Sequence, residues 1–372
     1  MIRIDEIYNN IFWPWLKENK VGTRLFFCDP PGRTDPDSLF KLSVDGVVEN
    51  DYVFLHDQEP VHLDLHQPLF DSVIARSQDV WAGINGTISI IRPRGNVIVS
   101  EQGEFVEKLC KITGWQSHYY FYHGWACKDW FRGYDKTFLI PRAQDRIPTK
   151  TFISPNRIIA GKRDHRVLFL YNIFKNKLED NWISAPRVCA YEHVDISVVA
   201  NNYSNIYPDI AQVFLSANLP KLFPGEQTQL MTSNCLSNFD EAADSLIYVP
   251  TETVYFGRRL HITEKTFKAI ALEMPFVLVA PAHSLRYMRS YGFQTFQGIF
   301  DESYDEETDD IRRIEKVTQL LKDLNDLSIK ERIKIHRACL PIVEYNFQHF
   351  YGTGFEHILW QELMEMFRGL AV

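Results

Sequence analysis

Three consecutive pieces, S-L-I-Y-V-P (245–250), H-I-T-E-K-T-F-K-A-I-A (261–271) and P-F-V-L-V-A (275–280), decide the fold. The first and last are short apolar runs. Between them Phe267, Ile270, Ala271 and Met274 recur three and four apart, the spacing of one buried helical stripe. Thr263 stands where an N-cap hydroxyl is wanted. The three pieces therefore predict a strand–helix–strand unit with parallel strands, whose crossover is right-handed and whose ligands bind beyond the carboxyl ends of the strands.

Glu264 and Lys265 fall in the first turn of that helix. A cation there opposes the helix dipole, at a cost of a few tenths to about 1 kcal/mol. Lys265 has two readings: a side chain bent into water, or a ligand for an anion that the exposed N–H groups of the same helix end also hold. Its place at the carboxyl edge of a parallel sheet favours the second.

The same rhythm recurs upstream. R-L-F-F-C-D (24–29), Y-V-F-L-H-D-Q-E-P (52–60) and N-V-I-V-S-E (96–101) read as strands, the second delivering Asp57 and Glu59 to its carboxyl end, and G-E-F-V-E-K-L-C-K-I (103–112) reads as an amphipathic helix. Short apolar strands alternating with helices predict an α/β chain with parallel sheets. At 372 residues, with 45% hydrophobic content, it exceeds what one core organises. From 141 to 166 the composition turns basic, with Arg142, Arg146, Lys150, Arg157, Lys162, Arg163 and Arg166 among Pro141, Pro148 and Pro155, which reads as an interdomain linker leading to a second domain that opens at Arg166. The expected organisation is two Rossmann-like domains facing a cleft, 1–150 and 151–340, with a helical segment 341–372 packing back across them.

Composition narrows the function. A formal charge of −8 excludes a surface that is wholly a nucleic-acid footprint, while leaving room for a local basic groove. Six scattered cysteines without a C-x-x-C pair predict neither a zinc site nor a disulfide framework, but reduced thiols of an intracellular protein. With no apolar run near the ~20 residues of a membrane helix and no secretory leader, a cytoplasmic protein is expected. His62 and His66 have metal-pair spacing without a third ligand, and read as ordinary surface or core histidines, so no metal is expected. The acidic stretch 301–310 lacks the turn glycine and spacing of a calcium loop and reads as a solvated loop. In the aromatic run Y-Y-F-Y-H-G-W-A-C-K-D-W-F-R-G-Y (119–134) most rings read as core, with His123 and Gly124 as pocket candidates.

The chain has neither G-x-G-x-x-G nor G-x-x-x-x-G-K-[ST], which removes the main support for dinucleotide hydride transfer and P-loop phosphotransfer. Transfer from a nucleotide diphosphate needs cations or N–H groups for the departing diphosphate and a base for the acceptor. Lys265 and Arg166 can supply the first, and Asp57 or Glu59 the second.

T-E-K followed by an amphipathic helix and a P-F strand resembles the donor-binding motif of the α-1,3-fucosyltransferase-like glycosyltransferases, which have the two-domain GT-B fold. P-T-E-T-V-Y-F (250–256) is similar to the glutamate-bearing segment that precedes T-E-K in that family, and H-R-V-L-F-L-Y-N-I-F (165–174) to its segment headed by a diphosphate-binding arginine. The resemblance implies that 151–340 binds a UDP- or GDP-sugar without metal, with Arg166 and Lys265 on the diphosphate, Glu264 on the ribose, Glu252 orienting the sugar and Thr263 beside them. It also implies that 1–150 is the acceptor domain, with Glu59 as base and Asp57 as its rival. Two features depart from the family: its usual asparagine after the glutamate is Thr253 here, and the loop to T-E-K is longer. D-Q-E-P, Y-Y-F-Y-H-G-W, T-E-K-T-F-K, G-F-Q-T-F and D-E-S-Y-D together resemble glycosyltransferases of large tailed bacteriophages, some of which glycosylate hydroxymethylated pyrimidines in DNA. This implies double-stranded DNA as a partner, with Arg157, Arg163 and the rest of the basic stretch on its phosphates and His123 near the acceptor. The alternatives are a glycan- or lipid-directed transferase, or a non-catalytic nucleotide-sugar or DNA-binding protein on the same scaffold.

Overall fold

The computed structural model describes residues 3–19, 24–27, 41–42, 52–56, 60, 81–82, 88–89, 95–226 and 234–370. Asp57, Glu59, His62 and His66 lie outside them. The chain divides into two compact units, one of Met1–Asp129 with His357–Val372 and one of Trp130–Glu356.

The first unit is built on strands β1 (Arg24–Phe27), β2 (Lys41–Leu42), β3 (Tyr52–His56), β4 (Gly95–Val99) and β5 (Gln116–Tyr119), in the order β2-β1-β3-β4-β5. All pairs are parallel except β1 with β2; Leu55 lies opposite Ile98, and Ile98 opposite His118. Val97, Ile98 and Val99 are all buried, as a strand covered on both faces requires. Gly95 admits no side chain, because a Cβ there would enter the indole of Trp115. Helices α1 (Glu104–Thr113) and α2 (Tyr122–Trp130) follow. The aromatic run is core, as expected for most of its rings: α2 is buried from Tyr122 to Asp129, and Trp125 packs edge-on to Trp360 at 4.7 Å.

At the N-terminus, helical turns run through Ile4–Ile7, Tyr8–Phe12 and Trp13–Glu18. The middle one is a π-turn just ahead of Pro14, where the helix widens to accommodate the ring and the missing N–H. Phe12 and Trp15 both pack on Phe367, at 4.9 and 4.6 Å.

The second unit holds β6 (Lys150–Ser154), β7 (Trp182–Ile183) and β8 (Ser245–Tyr248), in the order β7-β6-β8, all parallel. Residues 275–279 extend this sheet beyond β8: Tyr248 N donates to Pro275 O, Val277 N to Tyr248 O and Val279 N to Pro250 O. Helix α3 (His165–Lys175) joins β6 to β7, and α4 (Glu264–Ala271) joins β8 to 275–279. Thr263 caps α4 through its side chain, as expected. Because β7 lies on one side of β6 and β8 on the other, strand order reverses between β6 and β8. That is the topological switch point of the sheet, where α/β folds place their ligands.

Around the sheet stand α5 (Ser284–Ser290), α6 (Asp310–Asn325) and α7 (Ile329–Tyr351), while α8 (Thr353–Leu370) starts here and continues into the residues of the first unit. The apolar stripe of α4 begins at Phe267, whose ring is surrounded by Phe293, Phe350 and Phe355 at 5.8, 5.5 and 5.6 Å. Each unit is an α/β assembly on a largely parallel sheet, the α/β class that the sequence predicts.

Two expectations need correction. The stretch 141–166 is not a linker: it contains β6, the central strand of its sheet, and the unit begins at Trp130. Pro148 and Pro155 lie just outside the strand ends, where their missing N–H groups break no ladder bond. The acidic loop is not wholly solvated either. Asp305 is buried and accepts from Leu285 N and Arg286 N at 2.9 and 3.3 Å, capping α5, and burial raises its pKa.

Candidate functional site

The carboxyl ends of β6 and β8 are tied together side by side. Ser154 Oγ donates to Val249 O at 2.9 Å, Asn156 Nδ2 to Ser154 O at 3.1 Å, and Thr251 Oγ1 to Asn156 Oδ1 at 2.7 Å. The chain leaving β8 is thereby fixed in place as it reaches Glu252.

Glu252 has no exposed surface. Oε1 accepts from Thr263 N at 3.2 Å and Thr266 Oγ1 at 2.6 Å, and Oε2 accepts from Thr263 Oγ1 at 2.6 Å. The carboxylate is thus a second cap for α4, reaching its start from the preceding loop. A buried carboxylate needs such donors to offset its lost hydration.

Lys265 follows at the same helix start, its side chain 26% exposed. Nζ donates to Thr253 Oγ1 at 3.0 Å, Thr263 Oγ1 at 3.1 Å and Glu264 Oε1 at 3.0 Å. All three ammonium protons are therefore placed, two of them on neutral hydroxyls that lend no charge.

The start of α3 meets the same loop. Arg166 is buried, with Nη1 donating to Ile158 O at 2.9 Å and Nη2 to Thr251 O at 2.9 Å and Glu252 O at 3.4 Å. His165 Nε2 lies 3.1 Å from Glu252 O, and its ring stacks on Tyr255. Burial, with Arg163 acting in the same sense, brings the Arg166 guanidinium down to about 9, so it stays charged at neutral pH. Burial and the neighbouring Arg166 hold His165 well below its ordinary value, and it is neutral.

The structure thus brings Arg166, Glu252, Thr263, Glu264 and Lys265 into one network at the switch point. It gives two of them contacts the sequence does not: Glu252 spends its oxygens on the helix start, and Arg166 its guanidinium on backbone carbonyls. His165, Asn156, Thr251, Thr253 and Thr266 are members that the sequence reading missed. Once β6 is placed at 150–154, Asn156 is found by its position just past a strand end, and Thr266 by being one turn beyond Thr263.

The remaining candidates lie elsewhere. His123 is buried in α2 of the first unit, edge-on to Tyr122. Arg157 lies 3.8 Å from the buried Glu226 carboxylate. Arg163 ends the short turn Gly161–Arg163 ahead of α3. Asp57 and Glu59 lie outside the described residues.

Much of the basic stretch is engaged inside its own unit. Arg142 pairs with Glu273 through Nε at 2.9 Å, and Arg146 Nη1 donates to Glu273 O at 3.0 Å while burial lowers its pKa to about 10. With Arg157 on Glu226 and Arg166 buried, a continuous phosphate-binding stripe is not what this segment forms.

Among the described residues, no three His, Cys, Asp or Glu side chains are grouped to hold a metal ion, and no helix is long and apolar enough to cross a membrane.

No family model matches the chain, and a search of curated proteins finds no match. Among solved structures, one described as trehalose-6-phosphate from E. coli bound with UDP-2-fluoro glucose aligns with 86% of this chain and 74% of its own, at 10% identity and a TM-score of 0.39. That likeness is too slight to carry an argument.

Proposed function

We propose that this protein is a metal-independent glycosyltransferase that binds a nucleotide-sugar donor at the switch-point site and transfers the sugar to a hydroxyl. One observation carries the reading: the starts of α3 and α4 meet around Glu252 at the carboxyl edge of the sheet, each with a cation in its first turn, Arg166 and Lys265. Two helix N-termini and two cations in their first turns favour an anionic group. As the glycosyl bond breaks, negative charge grows on the departing diphosphate, and donors held in advance stabilise it without reorganising.

In this reading Lys265 is the group that touches the diphosphate. Its bond to Glu264 is exchanged for a phosphate oxygen, and the released Glu264 carboxylate accepts from the donor's ribose. Arg166 acts through its field, its charge resting on carbonyls that do not cancel it. Glu252 and Thr263 are positioning residues that hold the start of α4. Glu59 takes the acceptor's proton, with Asp57 as its rival. A glycan hydroxyl is favoured over duplex DNA as acceptor, because Arg142, Arg146, Arg157 and Arg166 are engaged within their unit.

The test is mass spectrometry of donor binding and transfer with a panel of UDP- and GDP-sugars, offering simple glycans and hydroxymethylated duplex DNA as acceptors. Binding and transfer are expected with one donor class, and Glu59→Gln or Asp57→Asn should remove the base-dependent limb of the pH–rate profile. A chain that binds no nucleotide sugar contradicts the proposal. Transfer to DNA that weakens steeply with salt would reverse the choice of acceptor.

A further inference from the structure

We propose that Phe256 is the platform on which the nucleobase of the donor stacks; this rests on the donor-binding reading above. Phe256 lies in the loop between β8 and α4, beyond the carboxyl edge of the sheet. Its predecessors Val254 and Tyr255 are buried, at 3% and 1% exposure, while Phe256 is partly open to solvent.

The loop is held on both sides of the ring. Tyr255 Oη donates to Asp310 O at 2.6 Å, and Gly257 N to Asp310 Oδ2 at 3.3 Å. The Arg313 guanidinium sits over the Tyr255 ring at 4.4 Å and donates to Tyr255 O at 3.0 Å. The start of α6 therefore fixes the backbone that presents Phe256, so little freedom is lost when a flat ligand settles on it.

The neighbours of the ring set where such a ligand would lie. Phe256 is backed by Tyr203 at 6.4 Å, nearly parallel, and stands edge-on to His165 at 6.0 Å and to Tyr255 at 5.4 Å. His165 opens α3 and precedes Arg166, so a base on Phe256 has its phosphates on the side of the two helix starts. His165 is neutral and does not repel the base edge. An aromatic face accepts any base, so the platform supplies affinity for a nucleoside rather than a choice between uracil and guanine.

The experiment is isothermal calorimetry on the full chain with UDP, GDP and inorganic pyrophosphate, using wild type, Phe256→Leu and Phe256→Trp. Leucine keeps the packing against Tyr203 and removes the aromatic face. Phe256→Leu should weaken whichever nucleoside diphosphate binds by about ten-fold or more while leaving pyrophosphate unchanged, and Phe256→Trp should bind at least as tightly as wild type. Nucleotide affinity that is unchanged in Phe256→Leu overturns the assignment, as does an equal loss for pyrophosphate. A wild-type chain that binds pyrophosphate but neither nucleotide also overturns it, and one that binds none of the three overturns the donor-binding reading itself.

Discussion

Helix α4 carries a buried glutamate near each end, Glu252 from the loop before it and Glu273 just after it, and the two are satisfied in opposite ways. Glu273, at φ 51, accepts from Arg142 Nε and Ala143 N at 2.9 and 3.0 Å, with the Arg146 guanidinium beside it. Glu252 is held by an amide and two hydroxyls. At the Glu273 end, charge is cancelled where it is buried, which clasps the segment 141–146 to the unit. At the Glu252 end, neutral donors hold the carboxylate, and the cations Arg166 and Lys265 stay at the sheet edge, resting on carbonyls and hydroxyls apart from the one ion pair of Lys265 with Glu264. One end is built for stability, and the other holds its cations mainly on uncharged groups, with a single carboxylate bond, Lys265 to Glu264, that a ligand can exchange.

The largest expected effect breaks the first end. Glu273→Ala strands the buried Arg146 charge and should cost about 3–5 kcal/mol of stability in denaturant unfolding, with the nucleotide affinity of the folded protein unchanged. Comparable losses of stability and affinity would erase the distinction between the ends. Glu252→Leu leaves Thr263 N and the Thr266 hydroxyl without their buried acceptor; about 1–3 kcal/mol should be lost, and donor affinity with it. Retained affinity in that variant would show that the carboxylate does not position α4.

A smaller change is expected from Thr263→Val, which removes the cap and one hydroxyl partner of Lys265. About 1 kcal/mol of stability should go, measured by thermal unfolding, together with part of the donor affinity.

The smallest effect is one of pH. Burial keeps His165 neutral in the folded chain, below its ordinary value of 6.5, so under pH 6.5 the unfolded chain binds the extra proton. Its contribution is present above pH 6.5 and lost as pH falls below it. In His165→Gln, which keeps a donor for Glu252 O but does not titrate, the stability deficit relative to wild type should shrink on acidification. A deficit independent of pH would contradict the neutral, buried histidine.

The α/β class and the β8–α4 unit were legible because periodicity is a local property: Phe267, Ile270 and Ala271 announce a helix wherever they occur, and Thr263 announces its start. β6 was not, because five residues between two prolines in a basic stretch carry too little pattern to outweigh their flanks. The Glu273 clasp was illegible for another reason. Its partner Arg146 lies 127 residues away, and nothing in either neighbourhood signals the other. The candidate site was half legible. Lys265 stands out because a cation in a first helical turn runs against the dipole, whereas the spending of Glu252 on Thr263 and Thr266 depends on a loop path that only the tied ends of β6 and β8 define.

The claim that the Glu252 end holds its cations for a ligand is tested most directly by calorimetric titration of UDP and GDP into wild type and Lys265→Ala, alongside their melting temperatures. Wild type should bind at least one of the two, and Lys265→Ala should lose ten-fold or more of that affinity, about 1.4 kcal/mol, with an unchanged melting temperature. Equal affinity in the variant, or no binding of either nucleotide to wild type, would contradict it.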